Sequence, residues 1–262
     1  MKKYIKICKD FINSILKKEK WFSDMINNND CDLLLLAGSS VNNLEDLFSD
    51  VDIFLICKNE SLIKYSLKPG QVYNFQNKEF DVSVFSTERL YDDSHNKENI
   101  YRWHNTHIIK AYNKEVKKIL YQASFLTKEE FLSRIWTNFC QFEVNSDSFK
   151  KQIKRKELLS VKILFNENIK LVIDSVLTCD KKFPSWKQFG RVLSQKDKKL
   201  YNKILKFQNL NNLNELQYYN TQLKLYMVKI LKDNGFSDEE IKSWAEYNLI
   251  KNIFLTKILT DL

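Results

Sequence analysis

One stretch constrains the fold of this chain more than any other: an apolar run, a short polar loop, and a strand that carries two acids. The run is Leu33–Ala37, and Asp50 and Asp52 follow after the loop, separated by a single valine. Because side chains alternate between the two faces of an extended strand, both acids point to the same side. Like charges that close repel each other unless a cation neutralises them, and a site built only of oxygen ligands favours a hard ion such as Mg²⁺.

The loop and a later strand add to this arrangement. Gly38 lets the backbone approach a ligand closely, and Ser39 offers a hydroxyl and an amide that can hold a phosphate. Asp81 lies in the strand-forming run Glu79–Val84 with apolar neighbours on both sides. The sequence therefore predicts a third carboxylate at the same site, provided that the strand register keeps Asp81 on that face.

These features resemble the nucleotidyltransferase superfamily related to DNA polymerase β. The pattern of that superfamily is a Gly-Ser pair, a short spacer, an Asp-x-Asp strand and one more acid on a later strand. The resemblance covers roughly residues 30 to 90. The strands around Asp52 and Asp81 look most like the small-molecule branch, which includes aminoglycoside and lincosamide nucleotidyltransferases.

The resemblance implies a reaction and the residues that carry it. A nucleoside monophosphate, most commonly AMP from ATP, would pass to a hydroxyl of a small acceptor such as an aminoglycoside or lincosamide. Asp50, Asp52 and Asp81 would be catalytic residues that hold a pair of Mg²⁺ ions, and Gly38 and Ser39 would bind the β- and γ-phosphates.

A glutamate from the helical half acts as general base in some antibiotic-modifying relatives. Glu143 is the matching candidate here, since it lies on a predicted helix among aromatic residues and near the expected domain junction. The alternative is an ordinary surface glutamate at the end of an amphipathic helix.

The densest basic run of the chain is Lys150–Lys156. In many relatives a basic residue on a helix beyond the core neutralises the triphosphate. Lys151 and Lys154 are our candidates for this role, because they lie within one helical turn of each other. Most charge runs on helices are solvated faces, and that alternative stays open.

The remaining pattern predicts an α+β fold in which an N-terminal nucleotidyltransferase mixed-sheet domain, residues 1–122, precedes an all-helical bundle domain, residues 123–262. Capping boxes begin predicted helices at Thr127 and Ser237, the second of them covering about 238–260. From about residue 88 onward we expect helix nearly throughout, including a long helix from about 148 to 179. A short helix is expected between residues 40 and 48.

Composition limits the partners less sharply. The net charge of +9 favours anionic ligands, but only five of the 42 basic residues are arginine, so lysine bias of the coding sequence accounts for part of it. An acceptor on tRNA or on a protein, as in toxin–antitoxin nucleotidyltransferases, is therefore the alternative enzyme hypothesis. A catalytically silent nucleotide-binding module is a third, against which the three intact acids argue.

The cysteines and the hydropathy pattern bear on location. The five cysteines are widely spaced without a C-x-x-C pair, which indicates reduced thiols in a cytoplasmic protein. No apolar run approaches the ~20 residues that a membrane helix needs, so we expect no membrane partner.

Overall fold

The computed structural model describes residues 2–41, 49–65, 70–97, 99–184 and 188–243. The chain divides into two compact units, the first comprising Met1–Leu126 with Phe183–Gln188, and the second comprising Thr127–Lys182 with Phe189–Leu262. Our prediction from the sequence assigns all residues after 122 to the second domain. Contacts explain why 183–188 belongs with the first unit: the Asn105 side-chain amide donates to the Phe183 carbonyl at 2.8 Å, and the His104 ring lies 4.9 Å from the Phe183 ring.

The first unit is a mixed five-stranded sheet with helices on both faces. Its strands are β1 Cys31–Ala37, β2 Val51–Cys57, β3 Gly70–Phe75, β4 Lys78–Ser86 and β5 Thr106–Ala111. Its helices are α1 Lys2–Ser14, α2 Lys20–Asn27, α3 Asn59–Lys64, α4 Thr87–Asn96, α5 Ile100–His104 and α6 Lys114–Ser124, with 3-10 turns at Leu16–Lys18 and Gly38–Ser40.

The strand order is β3-β4-β2-β1-β5. β2 and β4 are parallel, and every other neighbouring pair is antiparallel. β3 and β4 form the predicted hairpin, in which Gln76 and Asn77 have φ of 50° and 59°. Positive φ at both central residues is the requirement of the two-residue turn whose twist matches that of the strands.

Two hydrophobic clusters cover the two faces of the sheet. On one face α1 and α2 pack on odd-numbered residues of β2 and even-numbered residues of β4; here the rings of Phe11 and Phe80 stack with centroids 4.2 Å apart. On the other face α4, α5 and α6 contribute Leu90, Trp103 and Leu120. The indole of Trp103 donates to the buried Asp93 carboxylate at 2.8 Å, which satisfies both buried polar groups.

The second unit is helical in its described residues: α7 Lys128–Arg155, α8 Leu158–Cys179, α9 Phe189–Lys196, α10 Lys198–Phe207, α11 Leu213–Asp233 and a helical stretch at 238–243. The combination of a mixed sheet with a helical second half confirms the predicted fold class. Both predicted capping boxes are also confirmed, since Thr127 and Ser237 exchange hydrogen bonds with the glutamate three residues on. No described helix is long and apolar enough to cross a membrane.

Two expectations about the helices are wrong. β5 interrupts the region that we expected to be helical. The sequence does not mark it as a strand, because Ile108 and Ile109 are adjacent and the six residues show no clear two-residue period. The helix expected from residue 148 is two helices: α7 continues to Arg155, Lys156 takes a left-handed conformation with φ of 60°, and α8 starts at Leu158. Without Gly or Pro at the break, nothing in the sequence marked it.

Two further expectations reach beyond the described residues. Most of the short helix predicted for residues 40–48 lies outside them. The last predicted helix, 238–260, can be followed only over 238–243.

Candidate active site

The two acids of the Asp-x-Asp pattern lie where β2 begins. β2 starts at Val51, so Asp50 immediately precedes the strand and is exposed, whereas Asp52 is the second strand residue and is half-buried. Val51 and Ile53 are fully buried in the cluster beneath α1 and α2. Asp52 therefore occupies the opposite face of the sheet, the face that carries α4, α5 and α6.

Asp81 lies directly beside Asp52. β2 and β4 are parallel, and Asp52 is aligned with Asp81 in their register. Phe80 and Val82 pack in the same cluster as Val51, so Asp81 shares the opposite face with Asp52. Since neighbouring strands are about 4.8 Å apart, the two carboxylates start from adjacent positions on one surface.

The surroundings of Asp81 change the pKa of its carboxyl group. Burial, and next the negative charge of Asp50, raise the pKa of the Asp81 carboxyl above its ordinary value, while a hydrogen bond from Ser83 opposes the shift. The Ser83 hydroxyl donates to Asp81 Oδ1 at a long 3.5 Å. Burial and the like charge both disfavour the ionised form of Asp81, which a nearby cation would favour.

Gly38 supplies the space that the Asp52 side chain occupies. Gly38 follows β1 with φ of +72°, and a Cβ atom placed on it would lie 1.9 Å from Asp52 Oδ2. Its amide donates to the Asn105 carbonyl at 3.1 Å, so that N–H is already used within the protein. Only glycine both tolerates this φ and leaves room for the carboxylate.

The residues that follow Gly38 form a single 3-10 turn, Gly38–Ser40. Ser39 is half-buried there. Ser40 is fully buried, and its hydroxyl has no hydrogen-bond partner in the described structure. A buried hydroxyl without a partner is uncommon, since buried polar groups are nearly always satisfied.

The donor set can be compared with what a divalent cation requires. Asp52 and Asp81 offer carboxylate oxygens on neighbouring strands, and Asp50 is near enough for its charge to act on Asp81. Within the described ranges, no three His, Cys, Asp or Glu side chains are gathered closely enough to form a complete metal-binding group. The residues fit a hard cation in their ligand chemistry alone, and further ligands would have to come from water or phosphate.

The other predicted site residues belong to the second unit. Glu143 lies in the middle of α7, where Oε2 accepts from Lys224 Nζ at 2.6 Å and Oε1 is buried without a hydrogen-bond partner in the described structure. Lys151 and Lys154 lie on the last turns of α7, and both are exposed. The catalytic role of Glu143 and the phosphate-binding role of the lysines stay predictions.

Three polar residues that belong to the Gly38–Ser40 turn, or are hydrogen-bonded to it or to Asp81, were not singled out from the sequence. Ser40 could have been suspected, because it directly follows the Gly-Ser pair. Ser83 lies two residues after Asp81 and so shares its face of β4, a relation that strand periodicity also contains. Nothing in the sequence indicated that the Asn105 carbonyl would accept from Gly38, because that contact joins distant parts of the chain.

Comparison with known proteins adds evidence on the fold. No family model matches the sequence, and no curated protein is significantly similar to it. A nucleotidyltransferase-like protein from Exiguobacterium sibiricum 255-15 superposes with a TM-score of 0.51, at 10% identity, over 89% of this chain and 78% of that chain. This chain has a nucleotidyltransferase-like fold.

A second solved structure is more distant. Spectinomycin adenyltransferase AAD(9) from Enterococcus faecialis, determined with ATP and spectinomycin, aligns at 11% identity over 87% of this chain and 99% of that chain, with a TM-score of 0.33.

Proposed function

We propose that this protein is a Mg²⁺-dependent nucleotidyltransferase that moves a nucleoside monophosphate, AMP from ATP, to a hydroxyl of a small-molecule acceptor such as an aminoglycoside or lincosamide. The observation that carries the proposal is the alignment of Asp52 with Asp81 on adjacent parallel strands. Beside them Gly38, which has no Cβ, leaves the space that the Asp52 carboxylate occupies. The nucleotidyltransferase-like fold supports it. A cytoplasmic location, where triphosphates are available, belongs to the same proposal.

The acids would hold the metal ions. Asp50, Asp52 and Asp81 are the ligands that we assign to a pair of Mg²⁺ ions, which when bound would offset the charge that builds up during phosphoryl transfer. The raised pKa of Asp81, which burial and then the charge of Asp50 cause, is consistent with this assignment, because a cation would favour the ionised carboxylate.

The Gly38–Ser40 turn would bind the β- and γ-phosphates. The Gly38 amide already donates to Asn105, so the part that we assign to Gly38 is space rather than a hydrogen bond. Ser39 would contribute its hydroxyl and its amide, both of which suit phosphate oxygens.

Residues of the second unit complete the proposed mechanism. Glu143 would accept the proton of the acceptor hydroxyl, and its Oε1, which lacks a hydrogen-bond partner in the described structure, is the oxygen suited to do so. Its other oxygen is held by Lys224, which would fix the orientation of the carboxylate. Lys151 and Lys154 would neutralise charge on the triphosphate.

The exposed basic end of α7 supports a second candidate, in which the acceptor is a macromolecule instead of a small molecule. Lys150, Lys151, Lys154, Arg155 and Lys156 are all exposed, which is the arrangement needed to contact a phosphate backbone. On this reading the acceptor would be a tRNA end or a protein side chain.

One experiment tests the proposal and separates the acceptors. The protein is incubated with Mg²⁺ and each α-labelled nucleoside triphosphate, against panels of aminoglycosides, lincosamides, total tRNA and cell protein. We expect label from ATP on a small molecule, and at least about a hundredfold less with the Asp52→Asn variant, whose fold is checked by circular dichroism. Label on tRNA or protein would favour the alternative acceptor, and equal labelling by the variant would overturn the proposed mechanism.

A further inference from the structure

β5 forms one edge of the sheet. In the described structure its neighbouring strand is β1, and no other described strand pairs with it. An edge strand presents a row of backbone N–H and C=O groups along its outer side, and these groups can pair with another extended chain. The edge lies two strands away from Asp52, on the far side of β1.

A groove lies on the α1 and α2 face beside this edge. Its volume is about 530 Å³ and its floor is apolar, including Ile12, Phe22 and Ile109. Its rim carries the exposed lysines Lys9, Lys17 and Lys110.

A second cavity lies beside the same strand on the opposite face. It has a volume of about 390 Å³ and is lined by Ile108, Lys117 and Tyr121, with His104 and His107. Ile108 packs with the cluster beneath α4 to α6, whereas Ile109 packs with the cluster beneath α1 and α2, so the two cavities flank β5 on its two faces.

The charge around both cavities has one sign. Four lysines line them, and among the described residues neither is lined by an aspartate or a glutamate. Two of these lysines lie over aromatic rings, Lys110 at 4.5 Å from the Tyr112 ring and Lys117 at 5.7 Å from the Tyr121 ring. These contacts place the cations along the edge, where they attract an acidic chain and repel a second copy of this basic edge.

We propose that the β5 edge and its two flanking cavities form a docking site for an extended, acidic peptide segment of a partner protein. The peptide adds a strand to the sheet beside β5, and its side chains alternate between the two cavities. Affinity comes from main-chain hydrogen bonds and apolar anchors, and selectivity for acidic sequences comes from the lysines. Asp50, Asp52 and Asp81 line neither cavity.

The dimensions of the edge set the length of the partner segment. β5 has six residues, which span about 20 Å at the ~3.3 Å rise of a strand. The register between β1 and β5 shifts between Leu34 and Leu35, which leaves Ile109 as an extra residue opposite them. A bulge of this kind bends an edge strand and discourages long flat pairing, so the docked segment is short, about five or six residues.

A labelled six-residue peptide with alternating acidic and apolar residues, Asp-Ile-Glu-Val-Glu-Phe, is the probe. Binding to the full chain is followed by fluorescence anisotropy, and a peptide with lysine at each acidic position is the control. Two further peptides carry N-methyl groups on alternate residues in opposite phases, because only one phase removes the N–H groups that face β5. We expect one phase to weaken binding at least tenfold and the other to leave it nearly unchanged.

The lysines are tested by charge reversal. Lys9→Glu combined with Lys110→Glu should weaken the acidic peptide at least tenfold. Lys203→Glu combined with Lys229→Glu, at exposed positions on α10 and α11, changes the net charge equally and should have little effect. Circular dichroism checks that both variants are folded.

Three outcomes would overturn the proposal. The first is equal binding of the acidic and basic peptides, and the second is equal sensitivity to both phases of N-methylation, which would mean that no strand is added. The third is a dimer of the unmodified protein, seen by light scattering, that is lost in the Lys9 and Lys110 variant, because the edge would then bind a second copy.

Discussion

The close contact between Gly38 and Asp52 predicts a large effect from adding a single methyl group at Gly38. In Gly38→Ala the new Cβ would lie 1.9 Å from Asp52 Oδ2, although real Cβ atoms essentially never approach a neighbour within 3.0 Å. The carboxylate or the turn must therefore move by about 1 Å. The φ of +72° adds a second cost, because side chains other than glycine rarely adopt it.

The two costs can be separated by a matched control. The left-handed conformation costs ~1–2 kcal/mol for alanine, and forcing the Asp52 side chain away from its preferred rotamer costs a further ~0.5–1.5 kcal/mol. Gly235 also has positive φ, at +95°, but a Cβ there meets nothing within 4 Å. Gly235→Ala should therefore lose only the first amount of unfolding free energy, and Gly38→Ala should lose both.

Activity should separate the variants more strongly than stability. A displacement of about 1 Å in a catalytic group can reduce a rate by about a hundredfold. We expect nucleotidyl transfer by Gly38→Ala to fall by that order, while Gly235→Ala stays near the unmodified protein. Gly70→Ala is a further control next to Asp81, since its Cβ would lie at an ordinary 3.5 Å from Asp81 Oδ1.

The measurements are urea unfolding followed by circular dichroism, and transfer of labelled nucleoside monophosphate to the acceptor identified by the panel. If Gly38→Ala lost no more unfolding free energy than Gly235→Ala and kept full activity, the close contact with Asp52 would have no role in positioning the carboxylate.

Four further predictions concern the acids, the ligand and the basic run. Asp52→Asn removes a charge without changing volume, so transfer should fall by at least about a hundredfold; turnover like that of the unmodified, folded protein would contradict the assignment. The pKa of Asp81 is raised in the folded state, so the protonated carboxyl stabilises the fold. This stabilisation is fully present below pH ~3.8, the ordinary pKa of the group in the unfolded chain, and is lost as pH rises through the folded pKa. Asp81→Asn should therefore raise the melting temperature near neutral pH and flatten this loss, and an unchanged pH profile of melting temperature would count against the raised pKa. ATP at a hundred times its dissociation constant should add ~2.7 kcal/mol of stability with Mg²⁺, whereas an equal thermal shift without Mg²⁺ would mean that the acids do not hold the nucleotide's metal. Charge removal at Lys151, Lys154 and Arg155 should mainly raise the apparent KM for triphosphate; tight, salt-sensitive tRNA binding that disappears in this triple variant would instead favour a nucleic-acid acceptor.

Much of the candidate site could be predicted because its signals are local. The alternation of faces along β2 and along β4 follows from strand geometry alone. The turn at Gln76 and Asn77 likewise follows from the short polar spacing between two strand-like runs. In each case a few neighbouring residues contain all the information. The pairing that aligns Asp52 with Asp81 is the exception, since it joins two strands that are distant in the chain.

The parts that could not be predicted depend on contacts between distant residues. β5 is a strand because β1 offers it a partner, while its own residues have no clear strand period. The turn at Lys156 is left-handed without glycine, so composition did not mark it. The donation from the Gly38 amide to Asn105 likewise joins the loop after β1 to the end of α5.

Three local conflicts lie at the same end of the sheet. Gly38 has positive φ and gives its Cβ space to Asp52, the pKa of Asp81 is raised by burial and by a like charge, and the buried Ser40 hydroxyl has no partner in the described structure. A buried hydroxyl without a partner and a crowded, buried carboxylate both cost folding free energy, and a side chain at Gly38 would add a clash. Unfavourable features that lie close together are typical of a binding or catalytic site, because a bound ligand can supply the missing charge and hydrogen bonds. A cation would offset the charge on the acids, and phosphate oxygens would accept from serine hydroxyls in the turn. On this argument the site lowers the stability of the free protein, and binding of triphosphate with Mg²⁺ would offset part of that loss.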